Sequence, residues 1–240
     1  MVGAFAQVAL NALFPPQCMA CNALVKNHGT VCQECFGQLH FITTPMCAHC
    51  GFPFEYDLGE GALCGECIDE LPAYDSAYSA FIFDDTSKAL LHKLKFEDQI
   101  HLARIFADWL MRHMPPVDVD MVMPVPLSRK RLFSRRYNQS ALVAKQLAKR
   151  LEISYQPTML RRIRHTTPQT GLTRAQRLDN VHGAFAISPA ARASLHGKSI
   201  LLLDDVMTTG ATIEACTDAL KKAGAGKVHV VTLARALHTQ

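Results

Sequence analysis

Four Cys-x-x-Cys pairs crowd into the first 67 residues and hold eight of the nine cysteines: Cys18/Cys21, Cys32/Cys35, Cys47/Cys50 and Cys64/Cys67. The intervals between pairs are 10, 11 and 13 residues. A Cys-x-x-Cys turn brings two thiolates onto one tetrahedral ion, and a second pair closes the site. Two pairs per ion give two zinc sites whose ligand positions are all cysteine, so both are expected to be structural. A short segment rich in Gly, Pro and Cys cannot build a core unaided. A structural zinc supplies about 10–16 kcal/mol of apparent binding free energy that becomes folding energy. Disulfides or a redox dithiol compete with this reading. Adjacent pairs are a metal signature, however, and nothing routes the chain to an oxidising compartment. Sequential pairing, Cys18, Cys21, Cys32, Cys35 and then Cys47, Cys50, Cys64, Cys67, closes short loops and is the expectation. A cross-braced pairing of first with third and second with fourth stays open. His28 and His49 read as bystanders, and Cys216 as an inert core thiol.

The chain has 240 residues, of which 49% are hydrophobic and 19% charged. That is apolar enough to bury a sizeable core and excludes a disordered chain. No run of 18 apolar residues occurs, which rules out a membrane-spanning helix. Residues 1–13 place Phe5, Val8, Ala9 and Ala12 at helical spacing, so an N-terminal amphipathic helix is expected there. They carry no Lys or Arg, the basic start of a signal peptide is missing, and a cytoplasmic location is expected.

The net charge of +4 hides a strong asymmetry. Residues 1–75 hold one base and eight acids, whereas residues 126–177 hold thirteen bases and one acid, Glu152. Clustered positive charge repels itself and asks for a polyanion, phosphate first among them.

Near the C-terminus, Ile200–Leu203 is a short apolar run that reads as a buried parallel strand. Asp204 and Asp205 follow, then Thr208, Thr209, Gly210, Ala211 and Thr212 open a helix to about Lys222, with the next strand at Val228–Leu233. In such a βαβ unit, ligands bind at the strand-to-helix turn. Backbone N–H groups and threonine hydroxyls at a helix start favour a phosphate, while paired carboxylates accept from sugar hydroxyls or hold water around Mg²⁺. The pattern asks for a sugar bearing a phosphate. LLLDDVMTTGAT resembles the ribose-phosphate motif of type I phosphoribosyltransferases, which bind 5-phosphoribosyl 1-pyrophosphate (PRPP). The resemblance assigns Asp204 and Asp205 to the ribose and Thr208–Thr212 to the 5′-phosphate. Thr208 stands where 6-oxopurine salvage enzymes usually carry an Asp, which argues against that substrate class.

Upstream, Val119–Val125 reads as another strand, followed by a loop, LSRKRLFSRRYNQS, and a helix over about Ser140–Leu151. In the phosphoribosyltransferase fold the turn after this strand holds pyrophosphate, which falls on Ser128, Arg129 and Lys130. Arg161, Arg162, Arg164, Thr167, Gln169, Leu172, Arg174, Arg177 and Asn180 match the flexible loop that covers PRPP, where arginines neutralise departing pyrophosphate. Arg135, Arg136, Tyr137, Asn138 and Gln139 combine donors with an aromatic, which suits a nucleotide or single strand. The same residues would also serve to cap the helix that begins near Asn138.

The FPPxCxxC start, the paired zinc motifs, LHKLKF (Leu91–Phe96), MPVPLSRKR, RRYNQS and the Gln169–Asn180 pattern occur in an order that resembles the ComF family, also called GntX-like DNA-utilisation proteins. The resemblance implies a double zinc ribbon over residues 14–70, then an α/β phosphoribosyltransferase-like domain over residues 76–240, its mostly parallel sheet covered by helices on both faces. It also implies PRPP with magnesium as ligand and a link to DNA uptake in natural competence, with single-stranded DNA and uptake helicase or competence proteins as partners. It names no acceptor. Two functions stay open: transfer of phosphoribosyl with release of pyrophosphate, and a non-enzymatic single-strand-binding adaptor using the PRPP site as sensor or phosphate clamp.

Overall fold

A computed structural model of the protein describes residues 14–96, 101–164 and 174–237. The N-terminal helix expected over residues 1–13 lies outside them, as do Thr167, Gln169 and Leu172. The elements after the cysteine segment are β1 (Ser76–Ile82), α1 (Asp85–Phe96), α2 (Leu102–His113), β2 (Met121–Pro124), α3 (Arg129–Arg135), α4 (Gln139–Leu151) and β3 (Ser154–Tyr155). There follow β4 (Leu160–Arg162), α5 (Arg174–Val181), β5 (Phe185–Ile187), α6 (Arg192–Leu195), β6 (Ile200–Met207), α7 (Ala211–Lys222) and β7 (Val228–Arg235).

Five strands form one sheet in the order β1-β7-β6-β2-β3, every neighbouring pair parallel. A parallel sheet must be covered on both faces, and its strands alternate between two cores accordingly. Leu201, Leu203, Val231 and Leu233 pack with Phe106, Trp109 and Leu147 of α2 and α4. Ile200, Leu202, Val228 and Val230 pack on the other face with Leu220 of α7 and with Leu160 and Phe185 of the antiparallel β4–β5 pair. The fold class is therefore the mostly parallel α/β sheet with helices on both faces that the sequence suggests.

Two elements differ from the sequence reading. The apolar run ends at Leu203, yet β6 continues through both aspartates to Met207, because pairing with β7 carries on from Asp204↔Thr232 to Met207↔Arg235. The expected loop after β2 contains helix α3, started by Ser128, whose Oγ accepts from the Arg131 N–H, and ended by Arg136 in the left-handed region. Its apolar members Leu132 and Phe133 are exposed, so no buried face marks it as a helix.

The cysteine segment is joined to the sheet rather than strung beside it. Ala77 N–H donates to the His49 carbonyl at 2.7 Å, Ile42 N–H to Ala80 and Ile82 N–H to His40, so residues 40–49 run along β1. Cys47, Cys50 and Cys67 belong to the same apolar cluster as Ile200 and Val230. Gly51 carries φ +68°, and a Cβ there would sit 2.6 Å from the Ala77 carbonyl oxygen, so only glycine lets the knuckle approach this closely. Among the described residues no helix is long and apolar enough to cross a membrane.

Candidate functional site

The eight paired cysteines gather into two groups, Cys18, Cys21, Cys32, Cys35 and Cys47, Cys50, Cys64, Cys67, with the ligand atoms of each within 4.8 Å of one another. That is the sequential pairing. The donor chemistry fits Zn²⁺. Cys32 N–H and Ala20 N–H point at the Cys18 sulfur, and Cys50 N–H and Cys64 N–H at that of Cys47. Burial pushes these two thiols up, but the converging N–H groups outweigh it and bring Cys18 down to about 6 and Cys47 to about 7. One thiolate, the form that binds metal, is thus prepared in each group, while burial pushes the thiols of Cys35, Cys50 and Cys67 up. His49 is not a ligand: it stacks on Tyr74 with centroids 5.2 Å apart. Cys216 is buried in the core as expected.

A polar cleft opens at the C-terminal ends of β6 and β2, the place where open α/β sheets bind their ligands. It encloses about 680 Å³ and is lined by Asp204, Asp205, Thr208, Gly210, Ala211 and Thr212 on one side and by Leu127, Arg131, Arg135 and Gln139 on the other. The turn into α7 is made by Gly210 at φ +76°, a left-handed residue at the helix N-cap that leaves the following N–H groups directed outward. Thr209 faces a neighbouring crevice instead, beside Cys50 and Cys67.

The two aspartates have unlike environments. Asp205 accepts from Lys95 Nζ at 2.8 Å and from Gln139 Nε2. Burial pushes its carboxyl up, but Lys95 and these hydrogen bonds prevail and hold it below the usual range. Asp204 accepts from Ser140 Oγ at 3.3 Å and from the Asp205 N–H at 2.8 Å. Burial, then the neighbouring Asp205 charge, lifts it to about 7. One carboxylate is fixed and charged; the other exchanges its proton near neutrality.

The predicted residues divide accordingly. Asp204, Asp205 and, from the turn, Thr208, Gly210, Ala211 and Thr212 meet in one cleft, together with Arg135 and Gln139, whereas Thr209 does not line it. Gln139 is only 1% exposed and faces Asp205. Asn138 caps α4, accepting from Ser140 and Ala141 N–H while donating to the Val125 carbonyl, and Tyr137 donates to the Leu94 carbonyl at 2.7 Å. Arg136 is exposed at the end of α3. Ser128 caps α3 and Lys130 is exposed; neither lines the cleft. Arg129 begins α3, but its side chain lies outside the description.

In the segment read as a covering loop, Arg161 donates to Thr158 and Arg164 to the Asp179 and Asn180 carbonyls, both in exposed positions. Arg174 and Arg177 fall on α5, where only their backbone is described. Among the described side chains of this segment, Arg162 is the arginine that lines the cleft, its guanidinium 5.3 Å from the Phe185 ring centroid. Burial, then the nearby Arg131 charge, lowers its pKa, as befits cations gathered around a space for an anion.

Lys88, Lys95 and Arg131 are lining residues that the sequence reading did not assign. Lys88 and Lys95 lie two turns apart on α1, and Arg131 and Arg135 one turn apart on α3, so basic residues at helical spacing were the available signal.

Comparison with known proteins accords with this architecture. A double zinc ribbon domain model matches residues 9–68, and a phosphoribosyl transferase domain model matches residues 138–240. Competence protein F of Haemophilus influenzae is 29% identical over 92% of this chain and 97% of its own length. DNA utilization protein YhgH of Salmonella typhi is 28% identical over 93% and 98%. Over nearly its whole length the chain is similar to these competence and DNA-utilisation proteins of the ComF type. Competence protein ComFC of Streptococcus pneumoniae is 27% identical over 65% of this chain and 66% of its own. Among solved structures, glutamine PRPP amidotransferase from B. subtilis aligns with 59% of this chain and 26% of its own, at 22% identity and a TM-score of 0.37.

Proposed function

We propose that the cleft binds PRPP with magnesium and that the protein works in the cytoplasm in DNA uptake or utilisation; the relatives' names, competence protein F and DNA utilization protein, support the link to DNA. The observation that carries this reading is the Asp204–Asp205 pair set beside the Thr208–Thr212 turn, with Lys95, Arg131, Arg135 and Arg162 around the same space. In this reading the turn holds the 5′-phosphate through backbone N–H and threonine hydroxyls. The two carboxylates accept from the ribose 2′- and 3′-hydroxyls, and the arginines balance the pyrophosphate. Mg²⁺ would arrive on the pyrophosphate, since Asp205 already carries Lys95 and Gln139 and Mg²⁺ keeps much of its own water.

Transfer to a nucleophile would break the bond from ribose C1 to pyrophosphate oxygen and form one to the acceptor. The protein contributes positioning and charge stabilisation of the departing pyrophosphate. The test is pyrophosphate release from Mg·PRPP against a panel of nucleobases and amines, with Asp204→Asn/Asp205→Asn as control. Acceptor-dependent release that vanishes in the control supports a transferase. Absence of PRPP binding by the zinc-loaded protein would remove the reading altogether.

A second reading, single-stranded DNA binding, is favoured by α3. Phe133 is 92% exposed one turn from Lys130 on the same helix, and Phe96, also exposed, lies under the Arg135 guanidinium at 4.9 Å. An exposed ring among cations is a stacking platform for bases. Saturable PRPP binding without any release of pyrophosphate would move the balance to this adaptor role.

A further inference from the structure

Arg235, the last residue of β7, is 6% exposed and lies between the second cysteine cluster and the phosphate turn. Its Nη1 donates to the Cys50 carbonyl at 2.7 Å and approaches Met207 Sδ at 3.0 Å, while Nη2 reaches the Cys50 sulfur at 3.5 Å. The guanidinium also lies 5.3 Å from the Phe52 ring centroid. Met207 is the last residue of β6, directly before Thr208, and its carbonyl accepts from Ala236 N–H at 2.9 Å. One small crevice is walled by Cys50, Cys67, Thr208, Thr209, Gly210 and Arg235.

Four thiolates around Zn²⁺ leave a net charge of −2, and a buried site of that charge is stabilised by a cation donating to a sulfur. Arg235 is such a cation, and it holds the end of β6 with the same group.

We infer that Arg235 is a positioning residue that couples zinc at Cys47, Cys50, Cys64 and Cys67 to the shape of the Thr208–Thr212 turn, so that occupation of this second zinc site sets the affinity for phosphate-bearing ligands. The inference rests on the proposed phosphate role of that turn. Zinc fixes Cys50; Cys50 fixes the guanidinium; the guanidinium fixes Met207 and with it the start of the turn. The first zinc group packs instead on α1 and α2, with Lys93 Nζ donating to Asn22 Oδ1 at 2.6 Å and His101 facing Met19, in the apolar cluster on the face of the sheet opposite the one that holds Met207 and Ala211. Coupling between two binding events is reciprocal, so ligand must in turn retain the second zinc.

The experiment uses the full zinc-loaded chain. Release of each of the two zinc ions to a chromogenic chelator is followed with and without saturating ribose 5-phosphate, and ribose 5-phosphate affinity is measured by calorimetry. In the wild type, ligand should slow one zinc by about tenfold and leave the other unchanged. Arg235→Met should release that same zinc about 10–100-fold faster and bind ribose 5-phosphate about tenfold more weakly. Arg235→Lys, which keeps the charge but not the fork, should recover zinc retention in part. Ligand that binds the wild type without changing either zinc rate overturns the coupling, even if the Met variant fails to fold. A wild type that does not bind ribose 5-phosphate defeats the phosphate-turn reading instead, and normal zinc release from a folded Met variant removes the role of Arg235.

Discussion

Lys95 Nζ lies 2.8 Å from Asp205 Oδ2, so the charge that fixes one of the two cleft carboxylates comes from α1, far from it in sequence. Lys93, two residues earlier on the same helix, is buried and donates to Asn22 of the first zinc-binding group. A single short segment, Leu91–Phe96, therefore faces the ligand cleft with one lysine and the zinc segment with another.

Removal of the first contact should be felt in both stability and binding. Lys95→Met removes the ion-pair partner of Asp205 and leaves two adjacent carboxylates facing each other, and breaking such a largely buried pair costs about 3 kcal/mol. Urea unfolding at pH 8 should show that loss, and ribose 5-phosphate affinity should fall because Asp205 no longer holds its position. Unchanged stability together with unchanged affinity would mean that the lysine is dispensable to the cleft.

Asp204 gives the opposite sign. Its folded pKa, about 7, lies above its ordinary value of 3.8, so the folded protein holds the proton more tightly than the unfolded chain does. Ionisation then costs stability progressively as pH rises from about 4 through about 7, and the full cost is present above that. Asp204→Asn should raise the melting temperature at pH 8, by an amount equivalent to about 2–4 kcal/mol, and give no gain near pH 4. The same substitution should weaken ribose 5-phosphate binding. A variant no more stable than wild type at pH 8 would contradict the raised pKa.

What the sequence made legible follows from contiguity. Asp204 to Thr212 and the cysteine pairs carry their chemistry in short continuous stretches, where residue type and spacing can be read directly. Lys95, Arg131, Arg162 and Arg235 reach the same region from four separate elements, and only the order of strands brings them together. Helix α3 escaped notice for a different reason: it has a cap and a left-handed end but no buried stripe, so hydrophobic periodicity has nothing to detect. Gln139, read as a donor for nucleic acid, points inward because the first turn of α4 packs against the aspartates, Gln139 donating to Asp205 and Ser140 to Asp204.

The junction between the second cysteine group and β1 makes a prediction of its own. Gly51→Ala would place a methyl group 2.6 Å from a backbone oxygen in a left-handed conformation. The strain of the conformation and the overpacking together should cost about 3 kcal/mol. The same change at Gly29, also left-handed but with open space around it, should cost only about 1–2 kcal/mol. Equal losses at the two positions, by chemical denaturation, would show that the close approach to Ala77 carries no weight.

Phe133 separates the two functional readings. With 92% of its surface exposed, it contributes little to the fold, and Phe133→Ala should leave the melting temperature within a degree or two of wild type. If α3 is a platform for single strands, the substitution should weaken oligonucleotide binding by about 1–3 kcal/mol, the worth of one stacked base. The slope of log affinity against log salt should stay unchanged, because no phosphate contact is lost. Lys130→Ala should do the reverse, flattening that slope by about 0.7 with a smaller loss of affinity at high salt. Neither substitution should alter ribose 5-phosphate binding, since neither side chain lines the cleft. Oligonucleotide affinity that is insensitive to salt and to both substitutions would exclude α3 as the binding surface.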